Sequence, residues 1–119
     1  MTRGEEGAPV EDAPLDAATL GLERLGDRAT LVHFSSAFCQ PCRATRRVLT
    51  EVGAMVEGAA HAEIDAEERL DLVRRLDIRG TPAVLVLDAA GRVVRRAYGQ
   101  PRRADVIAAL GAAVDEGAR

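Results

Sequence analysis

Two cysteines three positions apart, Cys39 and Cys42, stand where an apolar, β-rich run (30–35, TLVHFS) gives way to a stretch of helical pattern, and the chain has no others. A C-x-x-C at a helix N-terminus brings two sulfurs within one turn, close enough to close a small disulfide ring and reopen it. The first sulfur also meets unpaired backbone N–H groups and the positive end of the helix dipole, which favour thiolate over thiol. Cys39 is therefore the candidate nucleophile. Cys42, a turn further along a helix whose apolar side faces the sheet, should be shielded. A single pair spaced for exchange, rather than for stapling distant segments, points to a catalytic dithiol in a reducing compartment.

The helix after the cysteines is supported by Ala44, Val48, Val52 and Val56 at four-residue steps, with Leu49 and Met55 beside them and Arg43, Arg46, Arg47 and Glu51 outward. Pro41 fits its first turn, Gly53 weakens it and Gly58 ends it. Residues 1–14 mix Glu, Asp, Gly and Pro with little to bury, so they read as a mobile tail with room for an edge strand around Val10. A helix is expected over Leu15–Leu25, stopped by Gly26 and Asp27. The apolar run 30–35 suits a central strand covered on both faces. His61–Asp65 (HAEID) suits a strand parallel to it, reached by a helical crossover.

Further on, Glu67–Leu76 is expected as a helix with Leu72, Val73 and Leu76 inward, and Asp77–Pro82 (DIRGTP) as a loop. Ala83–Leu87 and Arg92–Ala97 read as a hairpin about the turn at 88–91. Ala104–Val114 closes the chain as a helix that uses Val106, Ile107, Leu110 and Val114. The alternation that finishes on a hairpin implies an α/β fold: a mixed sheet of four to five strands flanked by helices on both faces.

A length of 119 residues is one domain, taken here as 15–119 behind the tail. The net charge of -3 gives no reason to expect nucleic acid or an anionic membrane as partner, and all sixteen basic residues are arginine. Arg92, Arg95, Arg96, Arg102 and Arg103 make a basic stretch that reads first as a solvated face. No segment approaches the roughly 20 apolar residues of a membrane span, and the acidic start does not read as a signal peptide. A cytoplasmic location is the expectation.

These residues resemble a thioredoxin-like protein over about 15–116. The resemblance rests on TLVHF leading to Cys39-Gln40-Pro41-Cys42, on the IRGTP loop of Ile78–Pro82, and on the hairpin followed by Gly99. It implies a thiol-disulfide oxidoreductase, a protein-disulfide reductase that works through Cys39 and Cys42 as a redox disulfide. It implies a cis peptide at Thr81-Pro82, with the Thr81 backbone free to pair with an extended target, and a small apolar docking surface of Phe38, Pro41, Thr81, Pro82 and Gly99. The expected partners are disulfide-containing proteins and a thioredoxin reductase-like flavoprotein. No cofactor is expected to be bound; electrons would come from that reductase with NADPH or from a low-molecular-weight thiol, and the chain would act as a monomer.

The sequence departs from the family pattern at several positions. His33 stands six residues before Cys39, where the family usually has a buried aspartate, and His61 aligns with its lysine partner. His33 reads either as the base for the Cys42 proton, directly or through water, or as a hydrogen-bonded core histidine. His61 reads as a solvated strand-end residue. Phe38 replaces the usual tryptophan, and Gln40 the usual glycine, which leaves the reduction potential open. Two other functions stay in view: a redox sensor or adaptor with little turnover, and a zinc site of Cys39, Cys42, His33 and His61, which lacks finger-like spacing.

Overall fold

A computed structural model describes residues 13–117, so the strand expected near Val10 lies outside the described residues. Ala29–Ser35 forms β1, and all seven of its residues are buried, as a run apolar on both faces requires. Ala59–Asp65 (β2) lies parallel to it, with Leu31 opposite His61 and His33 opposite Glu63. Ala83–Asp88 (β3) runs antiparallel on its other side and pairs onward with Val93–Tyr98 (β4). The sheet order is β2–β1–β3–β4, a mixed sheet with β1 inside.

Side chains alternate across a strand, so the sheet carries two cores. On one face Val32, Phe34, Leu85 and Leu87 meet Leu20 of the short helix α1 (Ala17–Leu20) and Leu72 of α3 (Leu70–Arg75), with Leu76 just beyond it. On the other, Leu31, Val84 and Val86 meet Leu49 and Val52 of α2 (Gln40–Ala54), and Val106 and Leu110 of α4 (Arg103–Gly117). Each fully buried Leu or Phe is worth about 1.5–3 kcal/mol. The core that carries α2 is therefore also what fixes the height of the dithiol above the sheet.

Local chemistry moved several boundaries. The helix expected over Leu15–Leu25 shrinks to four residues. The Asp16 carboxylate accepts the Thr19 N–H at 2.8 Å to start it, and Gly21 at φ 75° stops it. Leu22 and Leu25 still reach the core, from irregular chain. The helix expected from Glu67 begins at Leu70, because Asp65 first folds a turn: its carboxylate accepts the Glu67 N–H at 2.8 Å and its carbonyl that of Glu68 at 3.1 Å.

Two helix faces are rotated from expectation. In α2 the residues turned to the sheet are Cys42, Thr45, Leu49, Val52 and Gly53, while Ala44 and Val48 are half-buried and Met55 is exposed. Thr45 can sit there because its hydroxyl donates to the Pro41 carbonyl at 2.8 Å. In α4 Ala109 and Ala113 join Val106 and Leu110 in the core, and Ile107 is exposed at 39%.

The hairpin turn is held by Asp88, whose carboxylate accepts the N–H groups of Ala90 and Arg92, each at 2.9 Å. Gly91 in that turn has φ 91°, and a Cβ there would stand 2.0 Å from the Leu15 carbonyl oxygen. The close approach is productive: Leu15 N–H donates to the Gly91 carbonyl at 2.8 Å and ties the start of the described chain to the hairpin.

Candidate active site

β1 ends at Ser35 and α2 begins at Gln40, so the cysteines fall at the junction where a central strand delivers the chain to a helix N-terminus. Cys39 is the N-cap: its backbone is extended, and its sulfur accepts the Cys42 N–H at 3.2 Å. Pro41 occupies the first turn, where no N–H is needed. The two sulfurs are bonded at 2.09 Å, with Cα atoms 5.2 Å apart. Cys39 is half-exposed and Cys42 is only 2% exposed. An entering thiol or disulfide therefore has access to one sulfur of the pair.

Phe38, just before Cys39, has φ 60° and stands wholly exposed. A left-handed conformation at a non-glycine residue costs on the order of 1–2 kcal/mol, and here it turns the ring outward beside Cys39. The cleft at the dithiol is lined by Ser36, Phe38, Gln40, Arg43 and Arg46 together with the cysteines. Thus the surface expected to be apolar carries two arginines as well.

The Thr81–Pro82 peptide is cis. Its loop is fastened to the dithiol segment by a 2.8 Å hydrogen bond between the hydroxyls of Ser36 and Thr81. Among the described residues no backbone hydrogen bond takes up Thr81, whereas the Pro82 carbonyl accepts the Gly99 N–H at 2.9 Å. Phe38 and Pro41 are exposed and Thr81 and Gly99 half-buried, but Pro82 is buried. Pro82 therefore lies beneath the surface expected to dock targets rather than in its exposed area. Gly99 at φ 79° has open space where a Cβ would go, so the turn, not a close contact, calls for glycine.

Behind the dithiol, β1 places His33 on the face covered by α2. It is completely buried, and among the described residues neither ring nitrogen has a hydrogen-bond partner. Burial pushes its pKa down to about 4, against the pull of the Glu63 carboxylate, so the ring is neutral at pH 7. His61, expected as a solvated strand end, instead lies within β2, half-buried beneath Gly53 of α2, with its Nε2 buried and unpartnered. Burial lowers its pKa as well.

Glu63 is the residue that pattern reading passed over. Its carboxylate takes a bidentate pair from Arg46 at 2.6 and 2.7 Å and the Ser35 hydroxyl at 2.6 Å. The Arg46 guanidinium above all holds its pKa at about 2. A signal was present, because the alternation of HAEID puts His61, Glu63 and Asp65 on one face; the partner on α2 was not visible in it. Among the described residues no group of three His, Cys, Asp or Glu side chains is placed to hold a metal ion, and no helix is long and apolar enough to cross a membrane.

The Thioredoxin family model matches residues 22–112. Among solved structures, the chain is similar to a chloroplastic thioredoxin z described as defining a type-specific target recognition: identity is 27% and the TM-score 0.65, over 73% of this chain and 79% of that one. A mutant thioredoxin from Halobacterium salinarum gives 23% identity and a TM-score of 0.66 over 74% and 76%. Thioredoxin-2 of a malaria parasite gives 15% and 0.65 over 71% and 82%. The last two show a shared fold. No curated protein matches the chain.

Proposed function

We propose that this chain, which belongs to the thioredoxin family, is a reductant of protein disulfides in the cytoplasm. Its close cysteine pair makes it a thiol-disulfide oxidoreductase in kind; the direction, the targets and the electron donor are our reading. The observation that carries it is the asymmetry of the pair, with one sulfur accessible at a helix N-terminus and its twin buried one turn behind.

In the reduced protein the Cys39 thiolate, favoured by the Cys42 N–H and the end of α2, attacks one sulfur of a target disulfide. A Cys39–target bond forms, the target S–S bond breaks, and the first target thiolate leaves. Cys42 then loses its proton, with neutral His33 as the base, and attacks the Cys39 sulfur. The second target thiolate leaves, the Cys39–Cys42 bond forms, and two electrons have passed to the target.

Thr81, held by Ser36, offers its unpaired backbone to the strand that carries the target disulfide, while Phe38 supplies an apolar lip. A flavoprotein reductase with NADPH, or a low-molecular-weight thiol, returns the pair to the dithiol.

Two variants test this. Reduction of insulin by a dithiol donor should be accelerated by the protein and lose that acceleration in Cys39→Ser. Cys42→Ser should accumulate protein-linked mixed disulfides through Cys39. Stoichiometric oxidation without turnover would replace the reductase by a sensor.

A further inference from the structure

A buried imidazole with two unpartnered nitrogens lies directly across the β1–β2 ladder from an ion pair. His33 and Glu63 are opposite each other in the parallel register, hence on one face, and that face is the one α2 covers with Arg46. We propose that Glu63, pinned by Arg46 and Ser35, is the counter-ion that lets His33 take up the proton of the resolving sulfur, and that Arg46 opposes it. Both are positioning residues, since each acts on the resolving sulfur through His33. The inference rests on the reading of His33 as the base for Cys42.

The physical case begins with what surrounds the ring. β2 presents His61 and Glu63, with Asp65 one pair further along that face; α2 presents Arg46 and the buried Cys42; β3 contributes Val84 opposite the ring and Val86 beside it, which do not titrate. An imidazolium formed there finds no hydrogen-bond acceptor among the described residues, so it depends on nearby charge. Glu63 is the anion directly opposite the ring and the one whose charge acts on it; Asp65, on the same face of β2, stands one pair further along, opposite Ser35. Arg46 and Ser35 hold the Glu63 carboxylate ionised at neutral pH. The charges of Glu63 and Arg46 act on the ring with opposite sign.

The opposition separates an electrostatic role from a structural one. Breaking the bridge from either side removes the same contact between α2 and β2, and a structural role predicts that both breaks act alike. A counter-ion role predicts opposite effects. Removing the Glu63 charge makes His33 a poorer proton acceptor, and removing the Arg46 charge makes it a better one.

The test follows the imidazole carbon and nitrogen resonances of His33 and His61 against pH in the oxidised protein, where neither cysteine titrates. Glu63→Gln, which keeps size and the Ser35 contact, should move the His33 midpoint down, and Arg46→Gln should move it up. In the reduced protein mixed with Ellman's disulfide, the first thiolate released reports Cys39 attack and the second reports resolution by Cys42. Glu63→Gln should slow the second release several-fold and leave the first unchanged, and combining it with His33→Ala should add nothing to His33→Ala alone.

Midpoints that move the same way in both variants, or Glu63→Gln and His33→Ala effects that simply add, would overturn the inference and leave the dithiol reaction standing. A second release unaffected by His33→Ala would instead remove the base assignment on which it rests.

Discussion

At the scale of single residues, the site holds side chains that are placed against their preference. Phe38 is an aromatic left wholly in solvent, and His33 is a titratable ring completely buried with no partner. The second has a thermodynamic consequence. A histidine whose pKa falls from 6.5 unfolded to about 4 folded binds protons more readily when unfolded, so its stabilising contribution is complete above pH 6.5 and is lost as pH falls towards 4.

The full effect is roughly 3 kcal/mol. Urea unfolding at pH 7 and pH 4.5 should show a marked drop in stability, and His33→Leu should flatten that slope. Equal slopes in the two proteins would mean that His33 is solvated. Glu63 acts in a lower window, since its contribution is lost between about pH 4.5 and 2. The cysteine pair was legible from its own spacing, and the burial of His33 from its place six residues before Cys39 in the family pattern. The Arg46–Glu63 pair was not, because it joins residues 17 apart through a strand–helix packing that only the fold defines.

At the scale of elements, long apolar or strictly patterned segments were the readable ones. β1 and the β3–β4 hairpin came out of the sequence nearly intact, and the parallel partner of β1 was found with two residues missing at its start. The short helix at 17–20 was overextended because Leu22 and Leu25 are core residues in irregular chain, which periodicity cannot separate from helix. Ile107 misled for a related reason: alanines take the sheet side of α4, and apolar size alone does not mark the inner face.

Two glycines give a contrast that checks the element packing. Gly53 lies inside α2, where an added Cβ would sit 3.8 Å from Leu31 and 3.9 Å from His61, ordinary contact distances. Gly53→Ala should therefore raise stability by about 0.5–1 kcal/mol through helix propensity and unfolded-state entropy. Gly91→Ala, with its positive φ and the Leu15 carbonyl in the way, should lower it by several times that amount. Thermal melts of the two variants measure both, and a stabilised Gly91→Ala would contradict the described turn.

At the scale of the molecule, the two-faced sheet serves the dithiol by geometry. Two separate cores clamp β1 from both sides, and β1 carries the chain straight into the cap of α2, so the position of Cys39 is set by the most buried strand of the fold. The same sheet brings the Ser36–Thr81 contact and the Arg46–Glu63 pair to the end where the cysteines lie. At the rim, Phe38, Gln40 and Arg43 are exposed and differ from the interior in being free to vary without disturbing a core.

The central claim is that this frame holds Cys39 as a reactive thiolate while Cys42 waits behind it. The direct measurement is the pH dependence of iodoacetamide alkylation of each cysteine in the reduced protein, compared with the same chain in denaturant. The account predicts that folded Cys39 reacts at a midpoint well below the ordinary thiol value of about 8.5, and that Cys42 is protected until the protein unfolds. A Cys39 midpoint equal to that of the unfolded chain, or alkylation of both sulfurs at one rate, would contradict it.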